Sequence, residues 1–265
     1  MTAARNIRTP LRLESLEPRT LLAGDVVAFL DRSGNLIVIG DGAANGIDLD
    51  RFGGFTVAGI DAGGAPTRVN GEPNGTATFT VTGEGDIRLY LGGGDDLLQV
   101  GTRSDSVDAP DDLEVYAGPG ADRVVTTGDT NVGDDLEIWG GSGNDRIGIY
   151  SPDVVDDLEV HTDGGDDAVT FYSARVGDDL IVRTGTGRDT VDVGFSDEQG
   201  ERIVEPVTVA EDTLIDLGPD DDALEVLGST FRGRFFADGG WGTDTLIQSG
   251  NTFARSPLFV RFERR

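Results

Sequence analysis

A ten-residue phrase, LEVYAGPGAD from Leu113 to Asp122, recurs down this chain. It returns as LEIWGGSGND (Leu136 to Asp145), LEVHTDGGDD (Leu158 to Asp167) and LIVRTGTGRD (Leu180 to Asp189). The leading leucines are 23, 22 and 22 residues apart. A period of this length marks a stacked repeat, in which no unit buries its apolar face without its neighbours. Within each copy the apolar residues alternate. Leu113 and Val115 point one way, Glu114 and Tyr116 the other, and Val124 and Thr126 resume the inward pattern after the glycine turn. That period of two is strand writing. Each repeat is thus expected to supply two strands.

A pair of strands joined by a tight turn is also compatible with a hairpin in an antiparallel sandwich. Like-for-like columns favour parallel stacking, because the same residue type returns once per turn. The expected fold is therefore all-β, a parallel β-helix (β-solenoid) of roughly 22-residue coils, with about eight to nine coils.

More distant copies extend the repeat. They begin at Ile87 and Phe235, at Leu36 as an opener, and at Leu214 with one residue deleted. A divergent turn built on Phe55–Val57 or Phe79–Val81 is expected between residues 36 and 87. The wider gap after Leu180 places an insertion at 195–211. Residues 26–265 then form a single solenoid domain. The alternating segment near 250–265 caps its open end, where an uncovered coil would invite further strand addition. Residues 1–25 are basic and non-repetitive.

Forty-nine acidic residues against 21 basic ones give a formal net charge of −28, and every basic residue is arginine. Such a chain repels phosphate backbones and attracts cations, so nucleic acid is excluded as a partner. No apolar run is long enough to span a membrane. With no cysteine, disulfides and thiolate metal sites are excluded. Oligomeric state is not legible.

Stacking the coils aligns Asp96, Asp122, Asp145, Asp167, Asp189 and Asp244 along one edge. It aligns the pairs Asp111–Asp112, Asp134–Asp135, Asp156–Asp157 and Asp178–Asp179 along another. Carboxylates about 4.8 Å apart repel by about 3 kcal/mol at an effective dielectric of about 20. Splaying into water, arginine neighbours or a bridging divalent cation can relieve this. Calcium, a hard ion with oxygen ligands, suits aspartates and turn carbonyls. The alternative is that glycine and aspartate are simply good turn formers.

Two segments, GGSGNDRI (Gly140 to Ile147) and GGWGTDTL (Gly239 to Leu246), resemble the hemolysin-type (RTX) calcium-binding repeat. The resemblance implies a parallel β-roll with calcium between turns. It makes Asp145 and Asp244 ligands, with Asp96, Asp122, Asp167 and Asp189 by extension. The family repeats its phrase every nine residues; this chain does so about every 22, so any site must lie between whole coils.

Outward positions on the first strand read Tyr90, Tyr116, Trp139, His161 and Arg183, beside Glu114, Glu137 and Glu159. Flat groups beside carboxylates can hold sugar rings, which makes Tyr90, Tyr116, Trp139 and His161 a candidate glycan strip. Cross-strand stabilisation of the sheet is the other reading. No nucleophile elbow, Cys–His pair or phosphate loop is present.

Near the start, LEPRTLLA (Leu16 to Ala23) resembles the short phrase found at the beginning of many extracellular planctomycete proteins. The resemblance implies export to the surface or medium, with residues 1–25 as the leader. The expectation is a secreted or cell-surface, acidic, calcium-binding solenoid with a structural or adhesive role and no catalysis. Its partners would be calcium ions and extracellular polysaccharide or other cell-surface components. The alternative is an extracellular polysaccharide lyase or hydrolase on a β-helix scaffold, with Arg183 beside Glu159 as its best candidates.

Overall fold

The computed structural model describes residues 24–51, 54–62, 66–81, 85–101, 107–127, 130–198 and 201–264. They contain strands, turns and no helix. The leader phrase at 16–23 lies outside them.

The shaft is a parallel β-solenoid with about seven complete coils. Its long face stacks Ile87–Tyr90, Leu113–Pro119, Leu136–Ser142, Leu158–His161, Leu180–Arg183, Thr213–Asp216 and Phe235–Asp238. A second face carries Leu97–Val100, Arg123–Thr126, Arg146–Tyr150, Ala168–Tyr172, Thr190–Val193, Ala223–Leu227 and Thr245–Ser249. Pairing is in register: Leu113 sits on Leu136, Leu136 on Leu158 and Leu158 on Leu180.

Each coil has three strands, not two. The third is a two-residue strand, such as Asn131–Val132 or Asp153–Val154, forming a narrow third face of seven strands. So short an element contributes one inward apolar residue, most often valine, and leaves no alternation to detect. Part-coils at either end account for the larger count expected from the sequence.

The core runs down the middle of this three-sided tube. Leu136 and Ile138 from the long face, Ile147 and Ile149 from the second, and Val154 from the narrow face are all buried. Every coil contributes the same five positions, so burial is distributed evenly along the axis. Towards the C-terminus the aliphatic filling changes to rings. Phe231, Phe235, Phe253, Phe259 and Phe262 form a chain of aromatic contacts with centroids 4.7 to 6.4 Å apart. Leu258–Val260 pairs with Phe235–Asp238 above this cluster.

At the other end the expected divergent coil is absent. Phe55–Ile60 instead folds back antiparallel on Gly46–Arg51, and Thr76–Phe79 pairs antiparallel with Phe55–Ile60. Asp25–Leu30 likewise runs antiparallel to Leu36–Ile39. Hairpins end a parallel stack, because the reversed strand offers the next coil the wrong hydrogen-bond pattern. The copy assigned to Leu214 also shifts by one. Thr213 occupies the inward leading position, pairing with Leu180 and Phe235, while Leu214 faces outward against Ile181. No residue is deleted there. Between coils, Phe195–Glu198 and Glu201–Val204 form an antiparallel hairpin. It leaves the corner between the second and narrow faces, the corner the long face does not touch.

Close stacking at the glycine corner leaves no space for a side chain. Gly143 has φ of +125°, and a Cβ there would lie 1.7 Å from the Gly120 carbonyl oxygen one coil away. Gly143→Ala is therefore expected to cost on the order of 3 kcal/mol. At Gly42 a Cβ would meet nothing within 4 Å, so Gly42→Ala should be close to neutral. Urea unfolding of the two variants checks the contrast.

Candidate functional site

The six aspartates expected as metal ligands lie together in one column on the inner side of the glycine corner. Asp222, which the shifted repeat concealed, completes it. All seven side chains are buried. Each Oδ1 accepts the backbone N–H of the aspartate one coil earlier. Asp96 N–H donates to Asp122 at 2.8 Å, Asp122 to Asp145 at 2.8 Å, Asp145 to Asp167 at 2.8 Å and Asp167 to Asp189 at 2.9 Å. Asp189 donates to Asp222 and Asp222 to Asp244. The two ends differ. Asn45 N–H donates to Asp96 at 2.6 Å, and the Glu263 carboxylate accepts from Asp244 N–H at 2.9 Å.

The second oxygen of each carboxylate is buried and has no hydrogen-bond partner among the described residues. An ionised carboxylate in that position would be costly. Burial pushes these groups up from the ordinary carboxylate range, to about 8 for Asp96 and Asp222, about 7 for Asp145 and about 6 for Asp122 and Asp167. Asp189 and Asp244 are raised for the same reason. The accepted N–H bonds pull the other way and are outweighed.

Asn45 shows what a neutral group does at this corner. Its Nδ2 donates to the Leu91 carbonyl at 3.0 Å and to the Ala43 carbonyl at 2.7 Å.

The paired-aspartate corner differs in kind. Asp112, Asp135, Asp157, Asp179 and Asp212 form a second ladder, in which Oδ1 accepts from the backbone one coil later, at 2.6 to 3.2 Å. These groups are half-buried. Among the described residues, four acidic groups have ligand atoms within 4.8 Å of one another. One, Asp86 with Asp112 and Glu114, already holds the Arg88 guanidinium, 2.6 Å from Asp86 and 2.7 Å from Glu114. The other three repeat once per coil: Asp111–Asp112–Asp134, Asp134–Asp135–Asp156 and Asp156–Asp157–Asp178. These acidic clusters can hold a metal ion. The buried column brings its six predicted ligands into line but yields no such cluster.

Tyr90, Tyr116, Trp139 and His161 form one outward column. Their rings stack at 4.9, 4.5 and 5.9 Å, with interplanar angles of 9°, 4° and 11°. The faces are turned against each other, so the strip presents edges to solvent. A sugar ring stacks on an aromatic face, which these inner rings do not offer. The neighbouring carboxylates serve the stack itself. Glu114 accepts from the Tyr116 hydroxyl at 3.0 Å, and Glu159 lies 3.2 Å from His161 Nε2. Arg183 continues this column, and the 195–204 hairpin projects from the opposite corner.

Trp241 stands at a variable position of the repeat phrase, where the sequence carries no signal. It is 77% exposed, the highest among the large hydrophobic side chains of the described residues.

The raised aspartates make folding take up protons. Between the unfolded value near 3.8 and folded values of about 6 to about 8, the native state binds more protons than the unfolded one. Stability should therefore be greatest on the acid side and fall as pH rises through 6 to 8. In chelator, the melting temperature should be higher at pH 5 than at pH 8. Asp145→Asn places an amide where Asn45 already has one, and should gain about 1–3 kcal/mol at pH 8 with a flatter pH profile. A melting profile that climbs from pH 5 to pH 8 would overturn this account of the ladder. Comparison of the chain with protein-family models, with curated proteins and with solved structures finds no match.

Proposed function

We propose that this chain is a secreted or cell-surface structural solenoid whose coils are held together by calcium at the paired-aspartate corner. One observation carries the reading: carboxylates from adjacent coils converge in threes, once per coil. Calcium accepts six to eight oxygens in flexible geometry, so three carboxylate oxygens completed by water or turn carbonyls suffice. An ion there joins one coil to the next. Its charge offsets the repulsion that raises Asp112, Asp135 and Asp179, where burial is the larger cause and neighbouring aspartates add to it. The all-oxygen donor set supports the ion's identity, and the leader phrase supports export.

A structural or adhesive role without catalysis fits the even shaft. The lyase or hydrolase alternative needs a cleft in which Arg183 and Glu159 meet the long insertion. Both lie on the long face, and the hairpin leaves the corner that face does not touch.

Calcium that binds only the folded chain raises stability by about 2.7 kcal/mol at a hundredfold excess over its dissociation constant. For a chain of this size that is a rise of roughly 5–10 °C in melting temperature. The Asp134→Asn, Asp156→Asn double variant should lose most of the rise, because those two residues bridge successive clusters. Superimposable melting curves in calcium and in excess chelator would rule out the cation reading.

A further inference from the structure

We propose a second binding site: the cleft beside Trp241 is a subsite for a neutral sugar ring. The cleft encloses about 340 Å³ and is lined by Asp216, Gly218, Pro219, Gly240, Trp241 and Arg261. It differs from the stacked strip in the respect that matters for carbohydrate. Among the described residues Trp241 has no ring contact with another aromatic side chain, and it projects into solvent beside Pro219, its bridge partner one coil earlier. Gly218 and Gly240, both at φ near +90°, leave the floor without side chains. The floor is therefore backbone, with the Gly218 carbonyl oxygen lying 1.5 Å from where a Gly240 Cβ would be, and a pyranose ring would lie against the solvent-facing side of the indole.

The backbone that carries the indole is held in place by its neighbouring coil. Trp241 N–H donates to the Gly218 carbonyl at 3.0 Å, and the Trp241 carbonyl accepts from Asp220 N–H at 2.6 Å. Pre-ordering of this kind lowers the entropic cost of binding.

Two polar groups of opposite type frame the indole. Asp216 presents an exposed carboxylate, an acceptor. Arg261 presents a guanidinium, a donor, held by an Nε bond to Asp238 Oδ1 at 2.6 Å and a second contact from Nη2 to Oδ2. Its backbone sits in the left-handed region at φ of +55°, a conformation an arginine adopts only when its surroundings require it. A planar guanidinium has five N–H donors, and the Asp238 pair occupies two of them.

This combination selects among ligands. A cation would be attracted by the indole and Asp216 but repelled by Arg261. An anion meets Asp216 and a body with net charge −28. A neutral sugar has an apolar face for Trp241 and hydroxyls that donate to Asp216 while accepting from Arg261. The site stands apart from the paired-aspartate corner, so melting curves insensitive to calcium would leave it untouched.

The test is tryptophan fluorescence of the full chain, titrated with neutral cello-, manno- and malto-oligosaccharides, with oligogalacturonate as the anionic probe and choline as the cationic one. At least one neutral oligosaccharide should change the emission saturably. Trp241→Ala should abolish that response while leaving the melting temperature within about 1 °C, because the side chain contributes little to the core. Asp216→Asn should weaken binding about tenfold, as expected for one lost charge-assisted hydrogen bond. The proposal is overturned if no neutral oligosaccharide produces a saturable change. It is equally overturned if the response persists in Trp241→Ala, where Trp139 alone would report it, or if only choline or oligogalacturonate binds.

Discussion

In-register parallel stacking at the glycine corner is the constraint from which the rest follows. At that corner the backbone leaves the long face and turns towards the second, so the amide of the turn's last residue points along the axis. A buried amide needs an acceptor. An aspartate in the same position of the next coil supplies one, and repetition turns the solution into a column of seven. The column spans the spacing that the sheets set and reinforces their register. It forbids side chains at Gly143, because the backbone of one coil rests on that of the next. Its drawback is electrostatic. Each carboxylate uses one oxygen for the amide and leaves the other buried without a partner.

The acidic residues consequently play distinct parts, although the sequence writes them alike. Those in the buried column are driven towards the neutral form and act as linkers. Those at the paired-aspartate corner are half-buried, accept backbone amides in the opposite sense and converge in threes. Net charge overstates the field of the folded shaft near neutral pH, because burial favours the neutral form in the column, most strongly at Asp96 and Asp222. Cation attraction is concentrated instead at the corner where water and ions can reach the oxygens.

Much of this was legible in the sequence because stacking converts spacing into contact. Leu113, Leu136, Leu158 and Leu180 do lie over one another, and the outward aromatics do form a continuous column. What spacing could not convey was direction in depth. Asp145 and Asp135 belong to equally regular columns, yet one points inward and the other towards the surface; only the path of the turn decides this. The narrow face escaped notice because two residues carry no periodicity. Thr213 escaped because a polar residue occupies an inward leading position that other coils fill with leucine, isoleucine or phenylalanine, and Leu214 beside it mimicked the expected letter. Trp241 was hidden by fitting the repeat phrase at a position where the phrase has no preference.

The two ends show how a repeating interaction is terminated. A ladder of identical aspartates would leave an unmatched donor at one end and an unmatched acceptor at the other, and each would favour another coil or another chain. At the N-terminal end Asn45 donates its backbone amide to Asp96 like any rung. Its side chain supplies its own donors to Leu91 and Ala43, so the first rung carries no ionisable group, although its Oδ1 stays buried without a partner among the described residues. At the C-terminal end the chain leaves the coil path after Arg261, and Glu263 reaches the Asp244 amide with a longer side chain, 19 residues away instead of 22. The same departure brings Phe262 across the end of the core, against Phe259. Closing the hydrogen-bond ladder and covering the apolar interior are thus one structural event. A coil added beyond this point would have to displace Glu263 from the amide and Phe262 from the core together.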